Sequence, residues 1–260
     1  TWGDVDHATH AFGLATPAGI ISTTGVGGLT LGGGIGHLSR RFGLTIDNLL
    51  SVDMVLANGQ FVTVCSSENK DLFWAVRGGG GNFGVVTSFE FKLHAVDNVV
   101  VGPTLWPLER AAEVMRWYRD FIAKAPPELS GFFLFLTVPP APPFPAALHL
   151  KKMCGVVWCY TGDPARAEQV FEPVRAMSPE LYGIHPAPYP MLQRAFDGLY
   201  PSGHQWYWRA DFVDELSDEA IALHVEHGSR APTMQSSMHL YPIDGAVHRV
   251  GRNDTAFCYR

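Results

Sequence analysis

Two runs of glycine are the feature of this sequence best suited to contact a ligand. The first, GVGGLTLGGGIG at residues 25–36, has seven glycines in twelve positions. Each glycine inside a helix or strand costs roughly 1 kcal/mol relative to alanine, so something must offset that cost. One interpretation is bare backbone that approaches a flat or charged ligand with free N–H groups. The alternative is a linker or a set of tight turns; we favour ligand contact because Val, Leu and Ile interleave the glycines.

The known phosphate motifs do not explain these runs. A P-loop ends in Gly-Lys-Ser/Thr, whereas the first run ends in Gly36, His37 and Leu38. The second run, GGGGNFG at residues 78–84, matches the G-x-G-x-x-G spacing of dinucleotide sites. A dinucleotide motif follows a strand and opens a helix, but this run follows a predicted helix and opens a predicted strand. The motifs of serine hydrolases and zinc proteases, G-x-S-x-G and H-E-x-x-H, are also missing.

Charged residues beside the first run have two interpretations each. His37 either contacts a cofactor or is a capping or core histidine. Arg40 and Arg41 either face a phosphate or form a solvated surface pair, which we favour.

A second group of candidates lies far along the chain. Tyr207 and Arg209 share one side of a predicted strand, and His239 with Tyr241 shares one side of another. If both sides face a ligand, these four residues line a substrate pocket. Trp206 and Trp208 point the opposite way and are predicted to be core.

The elements that position the glycine runs are readable in the first hundred residues. Asn58 and Gly59 separate two apolar segments, 52–57 and 60–64, and predict a hairpin with a type I′ turn. A short helix over residues 70–76 and a strand over 85–93 flank the second run.

The later part alternates helices and strands. Helices are predicted over residues 111–122, after an N-cap at Asp163, and from Ser217 to a stop at Gly228. The strand-like runs between them are 132–138, 148–160, 204–212 and 234–241, and the proline-rich segment 139–145 is a stiff exposed loop. Helices interleaved with strands predict an α+β layer, a sheet with helices on one face.

Composition limits the class of protein. The 260 residues are 47% hydrophobic and carry a formal net charge of −6, which argues against a nucleic-acid partner. Gly, Pro or charge interrupts every apolar run before membrane-spanning length, so no membrane partner is expected. The four cysteines form no CxxC pair, and we expect buried single thiols and no metal site. Glycine density falls near residue 97, which predicts domains at residues 1–97 and 98–260.

The glycine runs in context resemble one family. Residues 24–28, 32–36 and 41–48, with DLFWAVRGGGGNFGVVT at 71–87, are similar to the FAD-binding domain of berberine-bridge-enzyme-like FAD-linked oxidases. These belong to the vanillyl-alcohol-oxidase/PCMH group. The resemblance implies the C-terminal part of a PCMH-type FAD-binding domain, followed by an antiparallel-sheet substrate domain that residues 98–260 resemble more diffusely.

The resemblance also implies a cofactor, a reaction and a set of site residues. FAD would take a hydride from a carbon of a small organic substrate, and O2 would reoxidise it. The positions carried over to the cofactor are Gly25, Val26, Gly27, Gly28, Leu31, Gly32, Gly33, Ile35, Gly36, His37, Asn48 and Val86.

Some parts of the family's site are not found in this sequence. A histidine that bonds flavin would lie upstream of Thr1, and the usual base beyond Arg260. Ile21 stands where doubly linked members carry cysteine, so the resemblance implies no cysteinyl–flavin bond. We therefore expect a chain truncated at both ends, with its catalytic residues unassigned. The alternative is a flavin-free copy that acts as a binding or structural module.

Overall fold

The computed structural model describes residues 1–260, which form two compact units. The first contains residues 1–99, 187–197 and 243–260, and the second contains residues 100–186 and 198–242. The compositional change near residue 97 lies close to the division after residue 99. Two later segments, 187–197 and 243–260, also belong to the first unit. Composition alone had placed all of residues 98–260 in one domain.

The first unit combines short helices with two small sheets. The elements are α1 (Trp2–His10), β1 (Leu14–Ala15), α2 (Val26–Leu31), α3 (Ser39–Phe42), β2 (Leu49–Val55), β3 (Phe61–Cys65), α4 (Lys70–Val76), β4 (Val85–Phe91), β5 (His94–Ala95) and, after the second unit begins, α7 (Tyr189–Gln193). Strand β2 is the centre of a three-stranded sheet in the order β3-β2-β4, and β1 pairs with β5. Apolar residues from the three-stranded sheet and α4 form a core around Val52, Met54 and Phe73.

The predicted hairpin is confirmed, but its predicted turn type is wrong. Strands β2 and β3 pair antiparallel. Leu56 N–H donates to the carbonyl of Gln60 at 2.9 Å, which leaves a three-residue loop. Gly59 has a φ of 82°, whereas Asn58 does not have a positive φ. This geometry is a type I turn followed by a left-handed glycine, which a loop of three residues favours over type I′.

The second unit is built on a six-stranded antiparallel sheet. The elements are β6 (Asn98–Pro107), α5 (Ala111–Ile122), β7 (Leu129–Thr137), β8 (Lys152–Tyr160), α6 (Ala167–Ala176), β9 (Leu181–Tyr182), β10 (His185–Pro188), α8 (Asp218–Ser229) and β11 (Met238–Leu240). The strand order is β10-β6-β8-β7-β11, with β9 also paired to β6. The long central strands β7 and β8 pair along nine residues.

One face of this sheet packs against helices α5, α6 and α8. Phe133 and Phe135 of β7, with alternate residues of β8, join apolar residues of the three helices in one core. Residues alternate across a strand, so one face collects these side chains. The predicted α+β class, with helices on one face of an antiparallel sheet, is confirmed.

The predicted helix starts are confirmed, and one predicted helix stop is wrong. The side chains of Asp163 and Ser217 accept the backbone N–H groups of Ala165 and Ala220, as N-caps do. Helix α8 continues through Gly228 to Ser229. A Cβ on Gly228 would lie 2.5 Å from the Phe135 ring, so this glycine allows close packing and does not end the helix.

The predicted strand at residues 204–212 is wrong, because that segment has no regular secondary structure. Its apolar residues alternate but remain outside the six-stranded sheet. Trp208, predicted to be core, is 62% exposed, and Trp206 is half-buried beside Tyr200. The loop at residues 139–145 is irregular and largely exposed, as predicted.

The structure also describes the four cysteines and the apolar character of the helices. All four cysteines are free, but only Cys154 and Cys159 are buried, while Cys65 is half-buried and Cys258 is exposed. None of the helices has the length and apolar character that crossing a membrane requires.

Candidate functional site

The first glycine run forms a short helix with one bare side. Helix α2 begins after Gly25, which is in an extended conformation and supplies no side-chain cap. Gly25, Gly28 and Gly32 are exposed, and their spacing places them along one side of the helix. No atom lies within 4 Å of the position of a Cβ on Gly25 or Gly28. We call these three residues the bare glycine face.

The rest of the run faces inward. A Cβ on Gly34 would lie 2.5 Å from the Cβ of Thr45, and one on Gly36 would collide with the carbonyl of Ala18. Gly33 has a φ of 114° and lies against the ring of Phe257, 2.7 Å from its would-be Cβ. These three glycines therefore serve close packing, and only the bare glycine face is open to a ligand.

Phe257 joins the two glycine runs. A Cβ on Gly78 would lie 2.6 Å from the Cβ of Phe257, whose ring lies against Gly33. The N–H of Gly80 also donates to the carbonyl of Leu31 at 2.9 Å. Sequence reasoning missed Phe257, because nothing in the local pattern around residue 257 shows that a distant glycine will leave room for its ring.

A second missed residue, Asp197, holds the segment that leads into α2. Its carboxylate accepts the backbone N–H of Ser22 at 2.9 Å and the Ser22 hydroxyl at 2.5 Å. Ser22 stands three residues before Gly25, so this pair fixes the approach to the bare glycine face. The sequence carries no signal for it, since the two residues are 175 positions apart.

The charged residues after the run are internal. His37 is buried, and burial lowers its pKa to about 3, which favours the core interpretation of this residue. Arg40 is only 3% exposed and forms an ion pair with Asp244. The expectation of a solvated surface pair is therefore wrong for Arg40. Arg41 is half-buried over the Phe42 ring.

Three other carried-over positions also have packing roles. The Asn48 amide donates to the carbonyls of Phe42 and Leu44, and its oxygen lies 2.6 Å from His94 Nε2. Ile35 packs on the small core around Phe257. Val86 lies half-buried in β4.

The remaining carried-over positions outside the bare glycine face lie in α2 itself. Val26, Gly27 and Leu31 are all half-buried there.

The second unit brings two of the four substrate candidates together. His239 Nδ1 lies 3.0 Å from the Tyr241 hydroxyl, and both rings lie on Phe132. Burial lowers the pKa of His239 to about 4, so its ring is neutral near pH 7. Tyr207 is 87% exposed and Arg209 is exposed, both in the irregular segment. The prediction that they share one side of a strand is wrong, because this segment does not form a strand.

Comparison with known proteins identifies the relationship. Residues 1–65 match the family profile described as FAD binding domain. A FAD-linked oxidoreductase of Dictyostelium discoideum is 34% identical over 266 residues, which cover 100% of this chain and 56% of that protein. The chain is homologous to the FAD-linked oxidoreductases. The cofactor that both matches indicate is FAD, and the resemblance found in the sequence is confirmed.

Solved structures of an oxidase and of a berberine-bridge-enzyme-like protein are also similar to this chain. A berberine-bridge-enzyme-like protein of Arabidopsis thaliana has a TM-score of 0.78 and 25% identity, covering 100% of this chain and 54% of that one. The 6-hydroxy-D-nicotine oxidase of Arthrobacter nicotinovorans has a TM-score of 0.65 and 26% identity, covering 78% and 44%. These two relatives match this chain from end to end, but the chain spans only about half of their length.

The residues present fit FAD at the bare glycine face. Open space at Gly25 and Gly28 lets a flat group approach the backbone without meeting a side chain. Since Gly25 supplies no cap, the first N–H groups of α2 are available to an acceptor outside the helix. The buried positions Gly36, His37 and Asn48 do not share this surface.

Proposed function

We propose that the protein is an FAD-dependent oxidoreductase that uses the bare glycine face as part of its cofactor site. The observation that carries this proposal is the open backbone at Gly25 and Gly28, inside the segment that matches the FAD binding domain profile. A side chain at either position would stand between the ligand and the backbone. The spacing of these glycines keeps one side of α2 flat, and a flat side lets a flat ligand contact the backbone directly.

We assign the cofactor domain to residues 1–97 and the substrate domain to residues 98–260, with one addition from the structure. Segments 187–197 and 243–260 support the cofactor domain, through Asp197 and Phe257. His239 and Tyr241 remain candidates for substrate contact, since they form a polar pair at the edge strand β11. Tyr207 and Arg209 belong to the same proposal, and both lie in the exposed, irregular segment at residues 204–212.

Bound FAD would supply the acceptor for a hydride from a carbon of a small organic substrate, with O2 as the final oxidant. The chain's own residues would bind and orient it. Backbone N–H groups at Val26, Gly27 and Gly28 would donate to electron-rich atoms, which stabilises developing negative charge. Asp197 would fix the approach at Ser22, and Phe257 would keep Gly33 and Gly78 in place.

Flavin absorption of the purified chain tests this function against the flavin-free alternative. The chain is mixed with FAD and separated from free FAD by gel filtration, and its visible spectrum is recorded with far-ultraviolet circular dichroism. We expect flavin bands that elute with the protein. A folded protein that carries no flavin at any FAD concentration would support the binding or structural module.

A second measurement tests the oxidase reaction. The flavin of the loaded protein is photoreduced without air and then mixed with oxygenated buffer. We expect the oxidised spectrum to return together with one equivalent of hydrogen peroxide. Reduced flavin that persists in oxygenated buffer would exclude O2 as the acceptor and leave FAD binding intact.

A further inference from the structure

One stretch of the second unit has backbone that pairs with no other backbone. Residues 205–213 run through the irregular part of this unit without a turn or bend. No backbone-to-backbone hydrogen bond joins residues 207–211 to the rest of the chain. A row of free N–H and C=O groups along such a stretch is a template for pairing with another strand. We call residues 207–213 the open segment.

The side chains of the open segment are those of a strand. Tyr207, Trp208 and Val213 are 87%, 62% and 64% exposed. Aromatic and β-branched residues of this kind are enriched in strands, where they pack against a neighbouring strand. The rings of Trp206 and Trp208 both lie beside Tyr200, with centroids 5.5 and 5.1 Å from its ring. The segment is therefore held to its own unit by these rings, while its backbone edge stays open.

The two charges of the open segment favour one register for pairing with a second copy. In an antiparallel pair related by a two-fold axis at Ala210, Arg209 of each copy lies opposite Asp211 of the other. An axis at Arg209 or at Asp211 would instead place like charges opposite each other, which destabilises a strand pair. Both charged side chains are exposed, so a second copy can reach them.

The same register also pairs the apolar residues. Trp208 lies opposite Phe212, and Tyr207 lies opposite Val213. Two aromatic residues, or an aromatic residue and a β-branched one, stabilise adjacent strands when they lie opposite each other. We propose that the open segment is the interface of a homodimer, in which two copies pair as antiparallel strands about Ala210. Both copies use the same surface, so the contact closes at two copies.

The dimer contact is small and leaves the side chains accessible from above and below. A single strand buries less area than a standard protein interface, so we expect a Kd on the order of 10 µM. Pairing uses the backbone edge, and side chains still project from both faces of the paired strands. The substrate contact proposed for Tyr207 and Arg209 is therefore compatible with the dimer. No residue of the bare glycine face takes part in it.

Analytical ultracentrifugation of the chain between about 1 and 500 µM tests the dimer. We expect monomer to convert to dimer as concentration rises. Arg209→Asp places acidic side chains opposite each other at two places in the dimer and should raise its Kd at least about tenfold. Arg209→Asp/Asp211→Arg exchanges the charges and should restore the Kd to within about threefold of the wild type. Arg166→Asp reverses an exposed charge elsewhere in the second unit and should change nothing.

A cysteine at the two-fold axis tests the register. Opposite Cα atoms in an antiparallel pair are about 4.5–5.5 Å apart, a separation that a disulfide spans. A Cys258→Ser background removes the exposed native thiol. In that background we expect Ala210→Cys to form disulfide-linked dimers when O2 oxidises the thiols. Ala165→Cys, which is exposed in the same unit, should remain mostly unlinked.

Three results would overturn the proposal. They are a wild-type chain that stays monomeric at about 500 µM, a charge-exchanged variant that does not recover the dimer, and equal cross-linking of the two cysteine variants. A monomeric chain would leave the open segment to a different partner, and a dimer that Arg209→Asp leaves unchanged would use another surface. FAD is absent from these measurements, so their outcome is independent of the proposed function.

Discussion

The guanidinium of Arg260 forms two hydrogen bonds with the carboxylate of Asp47, at 2.8 and 3.0 Å. Both side chains are buried, with exposures of 1% and 5%. This pair fastens residues 243–260 to the segment that follows the first glycine run. The neighbouring Arg40–Asp244 pair makes a second connection of the same kind.

Breaking the Arg260–Asp47 pair should strongly destabilise the first unit. Loss of one partner leaves an uncompensated buried charge, which costs about 3–5 kcal/mol. We expect Arg260→Gln or Asp47→Asn to lower the urea midpoint accordingly, and the double variant to lose less than the sum of both. The control is Arg230→Gln, which removes an exposed pair with Glu226 and should cost under about 1 kcal/mol. Equal effects at the buried and exposed pairs would contradict this view.

Phe257 should matter for both stability and cofactor affinity. Truncation to alanine removes a buried ring at a cost of about 3–5 kcal/mol and lets Gly33 and Gly78 move. We expect Phe257→Ala to weaken FAD binding at least about tenfold by flavin fluorescence, and Phe257→Leu to restore most of it. A folded Phe257→Ala protein with unchanged FAD affinity and spectrum would show that the ring has no influence on the cofactor site.

Asp6 should make stability depend on pH. Its pKa is raised by burial from 3.8 to about 6, so the folded state binds the proton more tightly than the unfolded state. The charged form therefore destabilises the fold at neutral pH by up to about 3 kcal/mol, and acidification from pH 7 to 4.5 relieves this cost. We expect Asp6→Asn to raise the free energy of unfolding at pH 7.5 and to flatten its change between pH 4 and 6. The same slope in both proteins would assign the dependence to other groups.

Local patterns predicted much of this structure. The hairpin, helices α4 to α6 and α8, the N-caps Asp163 and Ser217 and the sheet face of the second unit all follow from spacing and cap residues near one another in the chain. The segment at residues 204–212 shows where this reasoning fails, because alternation predicts a strand only when a neighbouring strand is available to pair with it.

The site was harder to predict for a related reason. Clustered glycines indicated close approach, but the sequence does not show whether a ligand or the protein itself makes that approach. Gly25 and Gly28 are open, whereas Gly33 and Gly36 receive Phe257 and the Ala18 carbonyl. The residues that decide this, including Asp197, are far away in sequence. Family resemblance supplied the cofactor, and only the fold separated the open glycines from the packed ones.

The most direct test of the account is calorimetric titration of FAD into the wild-type chain and into Gly28→Leu. Leucine favours helices and its Cβ would meet no atom within 4 Å at this position, so α2 should fold while the side chain covers the backbone. Gly198→Leu, which also enters open space, is the matched control. We predict saturable FAD binding to the wild type and to Gly198→Leu, and at least about a hundredfold weaker binding to Gly28→Leu. Equal FAD affinity in all three proteins would contradict the assignment of the bare glycine face as the cofactor surface.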